Sequence, residues 1–312
     1  MDITGGVTFT GGLSIAGPPP PSSYKAIFGY GYSDITGALS MTNKVSNTGV
    51  VATDTTGVGT ARNQLAAAGY GTDKAIFGYG SASDGTKYSM TNLVSNTGVV
   101  ATDTTGVGTA RNGLAACGYG TDKAIFGYGY SSTSVSMTNK VSNTGVVATD
   151  TTGVGTIRSG LAAAGYGTDK AIFGYGNAGG TRYSITNLVS NTGVVATDTT
   201  GVGTVRTSLA AAGYGTDKAI FGYGFNGSTS VSMTNLVSNT GVVATDTTGV
   251  GTARYGLAAA GYGIGTAIFG YGTVAPVTAV TNLVSNTGVV ATDTTGVGTA
   301  RNYLAAASYG LA

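Results

Sequence analysis

The chain repeats itself. The hexapeptide AIFGYG starts at Ala26, Ala75, Ala124, Ala171, Ala219 and Ala267, at intervals of 47 to 49 residues. Between successive copies runs a phrase of nearly constant wording, TNLVSNTGVVATDTTGVGTAR in its Thr91–Arg111 copy. Self-similarity at such a period restricts the fold to supersecondary units that bury their faces against one another. Six units fill residues 25–312 and leave residues 1–24 as a separate arm. The phrase is cut at both ends: the first unit opens on KAIFGYG (Lys25–Gly31), and LAAASYG (Leu304–Gly310) supplies the piece that elsewhere precedes AIFGYG.

Each unit divides into four strand-like pieces. In one copy they are GLAAAGYG (Gly160–Gly167), KAIFGYG (Lys170–Gly176), YSITNLVS (Tyr183–Ser190) and GVVATDTT (Gly193–Thr200), here called A, B, C and D. Glycine every few residues, with Val, Thr and Tyr between, disfavours helix and suits strands. The joints GTD and SNTG carry residues that tolerate positive φ and read as tight turns. LAAA, AIF and VVA are apolar on consecutive rather than alternate residues, which a strand covered on both faces requires. Blades of a β-propeller are covered in this way, with small Ala and Gly suiting strand A nearest the axis.

The cut phrase then has a reason. The C-terminal NYLAAASYG serves as strand A for the blade whose other strands come from Lys25–Arg62, so no sheet edge is left open. The expected fold is all-β: a six-bladed β-propeller of four-stranded antiparallel blades, closed by the C-terminal strand on the N-terminal blade.

Charge and composition exclude several classes. A net charge of +2 with no Lys/Arg cluster offers no footprint for nucleic acid. No apolar run approaches a membrane span, and the first residues lack the pattern of a secretory signal. The chain has no His and no Glu, so His-based triads, His metal sites and Glu acid–base pairs cannot be built. No cofactor, metal or enzymatic activity is expected. The single cysteine, Cys117, stands where the other copies have Ala and reads as a small buried thiol.

Two charged residues recur in every unit. The aspartates are Asp54, Asp103, Asp150, Asp198, Asp246 and Asp293; an arginine follows each by eight residues, at Arg62, Arg111, Arg158, Arg206, Arg254 and Arg301. A Ca²⁺ site needs several converging oxygens, and each unit offers one carboxylate. Identical residues are also poor acid–base catalysts, because acid and base need different environments. Structural hydrogen bonding or pairing between blades is the expected role of both sets.

Differences between copies fall in two places: the segment after GYG, and the two residues after each Arg. Strands of a blade alternate in direction, so both places belong to one face. They hold Tyr32, Tyr88, Tyr130, Tyr183, Phe225, Tyr255 and Tyr303. Tyr with Ser, Gly and Asn is the usual composition of recognition loops, although exposed loops also drift without selection for binding. These seven aromatics are the candidate ligand-binding residues.

The order DKAIFGYG, then NLVSNTG, then TARNGLAAA resembles a kelch repeat, with which it also shares a period near 50. It departs from that family in having no Trp and in replacing the Gly-Gly pair by Gly-Tyr-Gly. The wording of the unit is also similar to propeller repeats of phage and marine viral structural proteins. The second resemblance implies a non-enzymatic structural or adhesive component of a virion, located at its surface or tail. Its arm (residues 1–24, with the stiff spacer Pro18–Pro21) would hold other virion proteins, and its variable face would meet a glycan or protein of the host. A free-standing carbohydrate-binding or protein-interaction propeller is the alternative.

Overall fold

In the computed structural model, which describes residues 24–310, every regular element is a β-strand. The first unit forms β1 (Lys25–Ser33) and β2 (Gly37–Val45). The next two form β3 (Ala66–Tyr70), β4 (Lys74–Gly78) and β5 (Thr91–Val94), then β6 (Ala115–Tyr119), β7 (Lys123–Gly127) and β8 (Thr138–Val141). The following unit adds a short hairpin: β9 (Ala162–Tyr166), β10 (Lys170–Gly174), β11 (Asn177–Ala178), β12 (Thr181–Arg182) and β13 (Thr186–Val189). Then come β14 (Ala210–Tyr214), β15 (Lys218–Gly222) and β16 (Thr234–Val237). The remaining strands are β17 (Ala258–Tyr262), β18 (Thr266–Thr273), β19 (Val277–Val284) and β20 (Ala305–Tyr309).

These strands make small antiparallel sheets of three: β20-β1-β2, β3-β4-β5, β6-β7-β8, β9-β10-β13, β14-β15-β16 and β17-β18-β19. The two-stranded β11–β12 hairpin stands apart. The last strand pairs with the first in full register, Lys25 opposite Tyr309 and Gly29 opposite Ala305. The first strand of each sheet lies against that of the next: β3 on β6, β6 on β9, β9 on β14, β14 on β17, β17 on β20, and β20 on β3.

Consecutive burial follows from this stacking. Ile76 packs with Leu114 and Phe126 of one neighbouring unit, whereas the adjacent Phe77 packs with Ile27 and Tyr30 of the other. Both side chains are fully buried, so alternate residues of one strand serve two interfaces. The glycine after each Phe is demanded by the same packing. A Cβ on Gly78 would stand 2.8 Å from Cζ of Phe126. The next residue, Tyr79, takes φ 65°. In β1 the equivalent residue, Tyr30, sits at a register shift between Gly29 and Gly31, as a bulge that turns the ring inward.

The sheets have three strands, not the four expected. Segment D enters each sheet only as isolated bridges, such as Val141 with Val147 and Thr138 with Thr151. Three residues separate the bridged positions on β8 and four on the D segment, so D carries one extra residue and cannot continue the ladder. The buried Asn139 fills the gap: its Nδ2 donates to the Ala148 carbonyl at 3.0 Å and to Asp150 Oδ1 at 2.9 Å. The amide thus takes a carbonyl that a regular fourth strand would have given to backbone. Of the expected arm, only Tyr24 falls among the described residues; residues 1–23 lie outside them.

Gly78→Ala is expected to lower stability by about 1–3 kcal/mol, since Phe126 has no free space to move into. Urea unfolding of the variant against the wild type measures it, and an unchanged midpoint would show that the ring yields at no cost.

Candidate functional site

The recurrent charged residues meet between sheets rather than within them. Arg111 lies on the path from β5 to β6, and its guanidinium covers the Tyr79 ring at 4.3 Å. All its other partners belong to the next unit or to its own approach. Nε donates to the Tyr128 carbonyl at 2.8 Å, Nη2 to Asn139 Oδ1 at 2.6 Å, and Nη1 to the Thr109 carbonyl at 3.0 Å. Asp150 stands 3.8 Å from Nη1. The same contact recurs between Arg62 and Asp103 (3.4 Å), Arg158 and Asp198 (3.5 Å), Arg206 and Asp246 (3.4 Å), and Arg301 and Asp54 (3.9 Å). Arg254 reaches Asn282 at 2.7 Å, while Asp293 is held by Thr252. The arginines are fully buried; the aspartates are about 30% exposed.

In every cluster the arginine Nη2 donates to an asparagine, but Nε reaches a tyrosine carbonyl only in Arg111, Arg254 and Arg301 and is buried without a partner in Arg62, Arg158 and Arg206. Partial desolvation opposes ionisation of Asp150, but the Thr109 hydroxyl, the Asn139 amide, the Thr109 backbone N–H and the Arg111 charge outweigh it. They hold the carboxyl below its ordinary range. Burial lowers the Arg111 pKa against the raising influence of Tyr79 and Asp150, and burial pushes Tyr79 up to about 12. Cys117 is 4% exposed among Ala115, Ile125 and Phe173, and burial pushes its thiol up. The asparagines (Asn43, Asn92, Asn139, Asn187, Asn235 and Asn282) were missed as partners in the sequence. Their only signal was the TN dipeptide that opens β5 and its counterparts in every unit.

The inequivalent residues gather elsewhere. Antiparallel pairing puts the start of each first strand, the segment after GYG and the residues after each Arg at one end of the sheets. At that end lies a cavity of about 290 Å³. Its floor is Leu65, Leu114, Leu161, Leu209, Leu257 and Leu304, one from each unit. Around the floor six backbone hydrogen bonds connect successive units. Tyr303 N–H donates to the Gly256 carbonyl, Gly256 to Ser208, Ser208 to Gly160, Gly160 to Gly113, Gly113 to Gln64, and Gln64 to Tyr303, at 2.6–2.8 Å. All six residues have φ between 49° and 64°. Glycine at three of the six positions was the visible sign of that conformation. The rim adds the side chains of Asn112, Tyr130, Ser159, Asn177, Thr207 and Tyr303. No charged residue lines the cavity.

Of the seven candidate aromatics, the structure brings Phe225, Tyr255 and Tyr303 together. Phe225 and Tyr255 lie 5.7 Å apart by ring centroid, and Tyr255 and Tyr303 6.3 Å. Tyr130 lines the cavity with Lys87 5.2 Å above its ring. Tyr303 also lines it; Tyr32, Tyr88, Tyr183, Phe225 and Tyr255 do not. The leucine floor was not singled out in the sequence, because it is identical in every copy.

The opposite end is built from the repeated turns. There a wider cavity of about 740 Å³ is lined by Tyr70, Tyr119, Tyr166, Tyr214 and Tyr262, with Thr and Lys of the turns. Each lysine pairs with the aspartate before it, as Lys123 does with Asp122 at 2.7 Å. Tyr24 also lines this cavity, its hydroxyl donating to the Thr72 carbonyl at 3.0 Å.

No protein-family model and no curated protein sequence matches the chain.

The clusters make a pH prediction. The six cluster carboxyls have depressed pKa values in the folded state, as do Asp73, Asp84, Asp122, Asp169 and Asp217, so the stability they contribute is present above the unfolded value of about 3.9. It is lost as pH falls through the folded value. With no His or Glu to titrate, unfolding free energy should be flat between about pH 5 and 9 and drop steeply below about 4. Asp150→Asn, which faces three donors with an amide, should cost about 2 kcal/mol at pH 7. It should also make the acid slope shallower. Urea titrations of both proteins at pH 7, 4 and 3 check it; parallel pH profiles would remove the carboxylate from this role.

Proposed function

We propose that the chain is a non-enzymatic recognition module: a closed six-bladed propeller that presents its variable end to a glycan or protein on a surface. Closure is supported by the pairing of β20 with β1 and by the backbone hydrogen bonds that pass through six units and return to Gln64. The observation that carries the recognition reading is the segregation of the two ends. Inequivalent residues surround the cavity of about 290 Å³, whereas the wider opposite cavity is lined by the same Gly-Thr-Asp-Lys turn in four units and by Gly263–Thr266 in a fifth. A surface under no demand to bind would scatter its differences over both ends.

The non-enzymatic reading is supported by the Arg–Asn–Asp clusters, which are alike in six copies and spend their donors on neighbouring sheets. Acid and base roles need environments that differ. Tyr24 lines the repeated end, so residues 1–23 join the molecule opposite the variable end. A module held through that arm would turn its inequivalent residues outward. The further step, that the holder is a virus particle and the target a host surface, rests on the resemblance of the repeats to viral structural proteins. A free-standing carbohydrate- or protein-binding propeller is the second reading. It is favoured by the repeated units themselves lining the cavity and forming its aromatic corner.

Replacing Phe225 and Tyr255 together by Ala should reduce attachment to the recognised surface at least about tenfold, the scale of losing one or two aromatic anchors. The thermal midpoint should move by only a few degrees, since both rings are part-exposed. Cell- or glycan-binding assays with a melting curve test it; undiminished attachment would end the reading of this end as a receptor site. Removing residues 1–23 separates the two readings, because particle incorporation is lost in the first and nothing changes in the second.

A further inference from the structure

The aromatic corner carries a cation with no anion. Arg182 ends the β11–β12 hairpin directly opposite Asn177, and opposed residues of a hairpin share a face with Cβ atoms about 5 Å apart. Asn177 lines the variable cavity and accepts a hydrogen bond from the Thr207 hydroxyl at 2.9 Å. Thr207 in turn bridges Phe225. The Arg182 guanidinium lies over the Phe225 ring at 5.1 Å. Its other neighbour is Gly227 of the following loop, where an added Cβ would stand 2.8 Å from Nη1. The side chain is therefore seated between an aromatic face and a bare backbone, both supplied by the next unit.

Among the described residues no carboxylate pairs with Arg182, and its buried Nε has no hydrogen-bond partner. The unpartnered Nε is shared with Arg62, Arg158 and Arg206, so the contrast lies in the rest of the guanidinium. The six repeated arginines are each packed against Asn and Asp or Thr of a neighbouring unit, and the turn lysines are paired with aspartates. Arg182 is the arginine outside the repeat, and it stands beside the one group of inequivalent aromatics. An arginine fork matches a carboxylate bidentately, and contact with an aromatic face holds it in place.

We infer that the corner formed by Arg182, Phe225, Tyr255 and Tyr303, with Asn177 and Thr207, binds an acidic saccharide, the carboxylate of a terminal sugar meeting Arg182. This inference rests on the recognition reading above and narrows it to one ligand class. The parts divide the work by their chemistry. Tyr255 and Tyr303 offer flat faces for the C–H side of a sugar ring. Asn177, Thr207 and Ser208 offer donors and acceptors for hydroxyls. The leucine floor takes an apolar substituent such as an acetamido methyl. The cavity itself is uncharged, so the acid group is read at its edge and a second charge deeper in the ligand would be rejected.

The experiment is a glycan array and calorimetry on the full chain with four probes. These are the methyl glycoside of N-acetylneuraminic acid, its carboxyl methyl ester, methyl glucuronide and methyl glucoside. The acids should bind at least about tenfold more tightly than the ester and the glucoside, the worth of one charge-assisted pair. Arg182→Gln should erase that ratio while leaving the melting temperature unchanged, and Arg182→Lys should keep part of it. Lys87→Gln, on the far side of the cavity, should leave it intact. Equal binding of acid and ester, or an acid preference that survives Arg182→Gln, overturns the inference. So does binding of peptides through a free C-terminal carboxylate in place of sugars. In each of these cases surface attachment that depends on Phe225 and Tyr255 would still uphold the recognition reading. Loss of neither attachment nor sugar binding in any variant overturns both.

Discussion

A buried guanidinium between neighbouring sheets is the interaction on which the architecture depends. A sheet of three strands, all of them four or five residues long in four of the six and one made largely of Ala and Gly, has too little surface of its own to be stable. It must be assembled against its neighbours, and apolar contact alone does not fix the angle between two sheets. Arg111 does so, because its donors have directions: one edge is spent on the Tyr128 carbonyl and Asn139 of the following sheet, while its face covers Tyr79 of the preceding one. Desolvating the charge costs several kcal/mol. The cost is offset by the bonds that the Nη groups make to Asn and by the nearby carboxylate that Thr holds, which explains why Asn, Thr and Asp are fixed in each unit along with the arginine.

That requirement also explains the broken fourth strand. A regular D strand would pair its carbonyls with backbone and leave the asparagine amide nothing to bind. The extra residue in D frees the Ala148 carbonyl for Asn139 and swings Asp150 toward Thr109 and Arg111. Ladder hydrogen bonds are thus exchanged for a side-chain network that reaches the adjacent sheet. Within one unit the exchange loses regularity; between units it adds polar contacts beside the arginine, such as that of Thr109 with Asp150. The result is a fold whose cohesion sits at the joints between units.

How much of this was legible depends on whether a feature is local or shared between units. Consecutive apolar residues in AIF announced a strand covered on both faces, and Ile76 and Phe77 do serve two different neighbours. The cut phrase announced the pairing of Leu304–Gly310 with Lys25–Gly31, because only one partner strand was missing. The asparagine was illegible for the opposite reason. TN reads as ordinary strand sequence, and its amide acquires meaning only beside an arginine some 28 residues earlier in the chain. Which aromatics converge was equally hidden. Tyr88 and Tyr183 belong to the same variable segments as Phe225, yet of the three it is Phe225 that packs on another candidate ring, that of Tyr255.

The bridges at the variable end explain how such a surface can vary at all. In every unit the residue after GYG pairs with the first residue after an Arg: Tyr32 with Asn302, Ser81 with Asn63, Tyr130 with Asn112, Asn177 with Ser159, Phe225 with Thr207, and Thr273 with Tyr255. The backbone geometry of these six pairs is the same, because the arginine clusters beneath them are the same. Side chains at the paired positions therefore change without disturbing the sheets, and each change alters the surface at a known place. Two bulky residues in neighbouring pairs suffice to make a corner, as Phe225 and Tyr255 do, with Tyr303 of the next unit extending it. Asymmetry at this end thus needs no departure from the repeated frame. The constancy of the buried network is what allows the surface above it to differ from unit to unit.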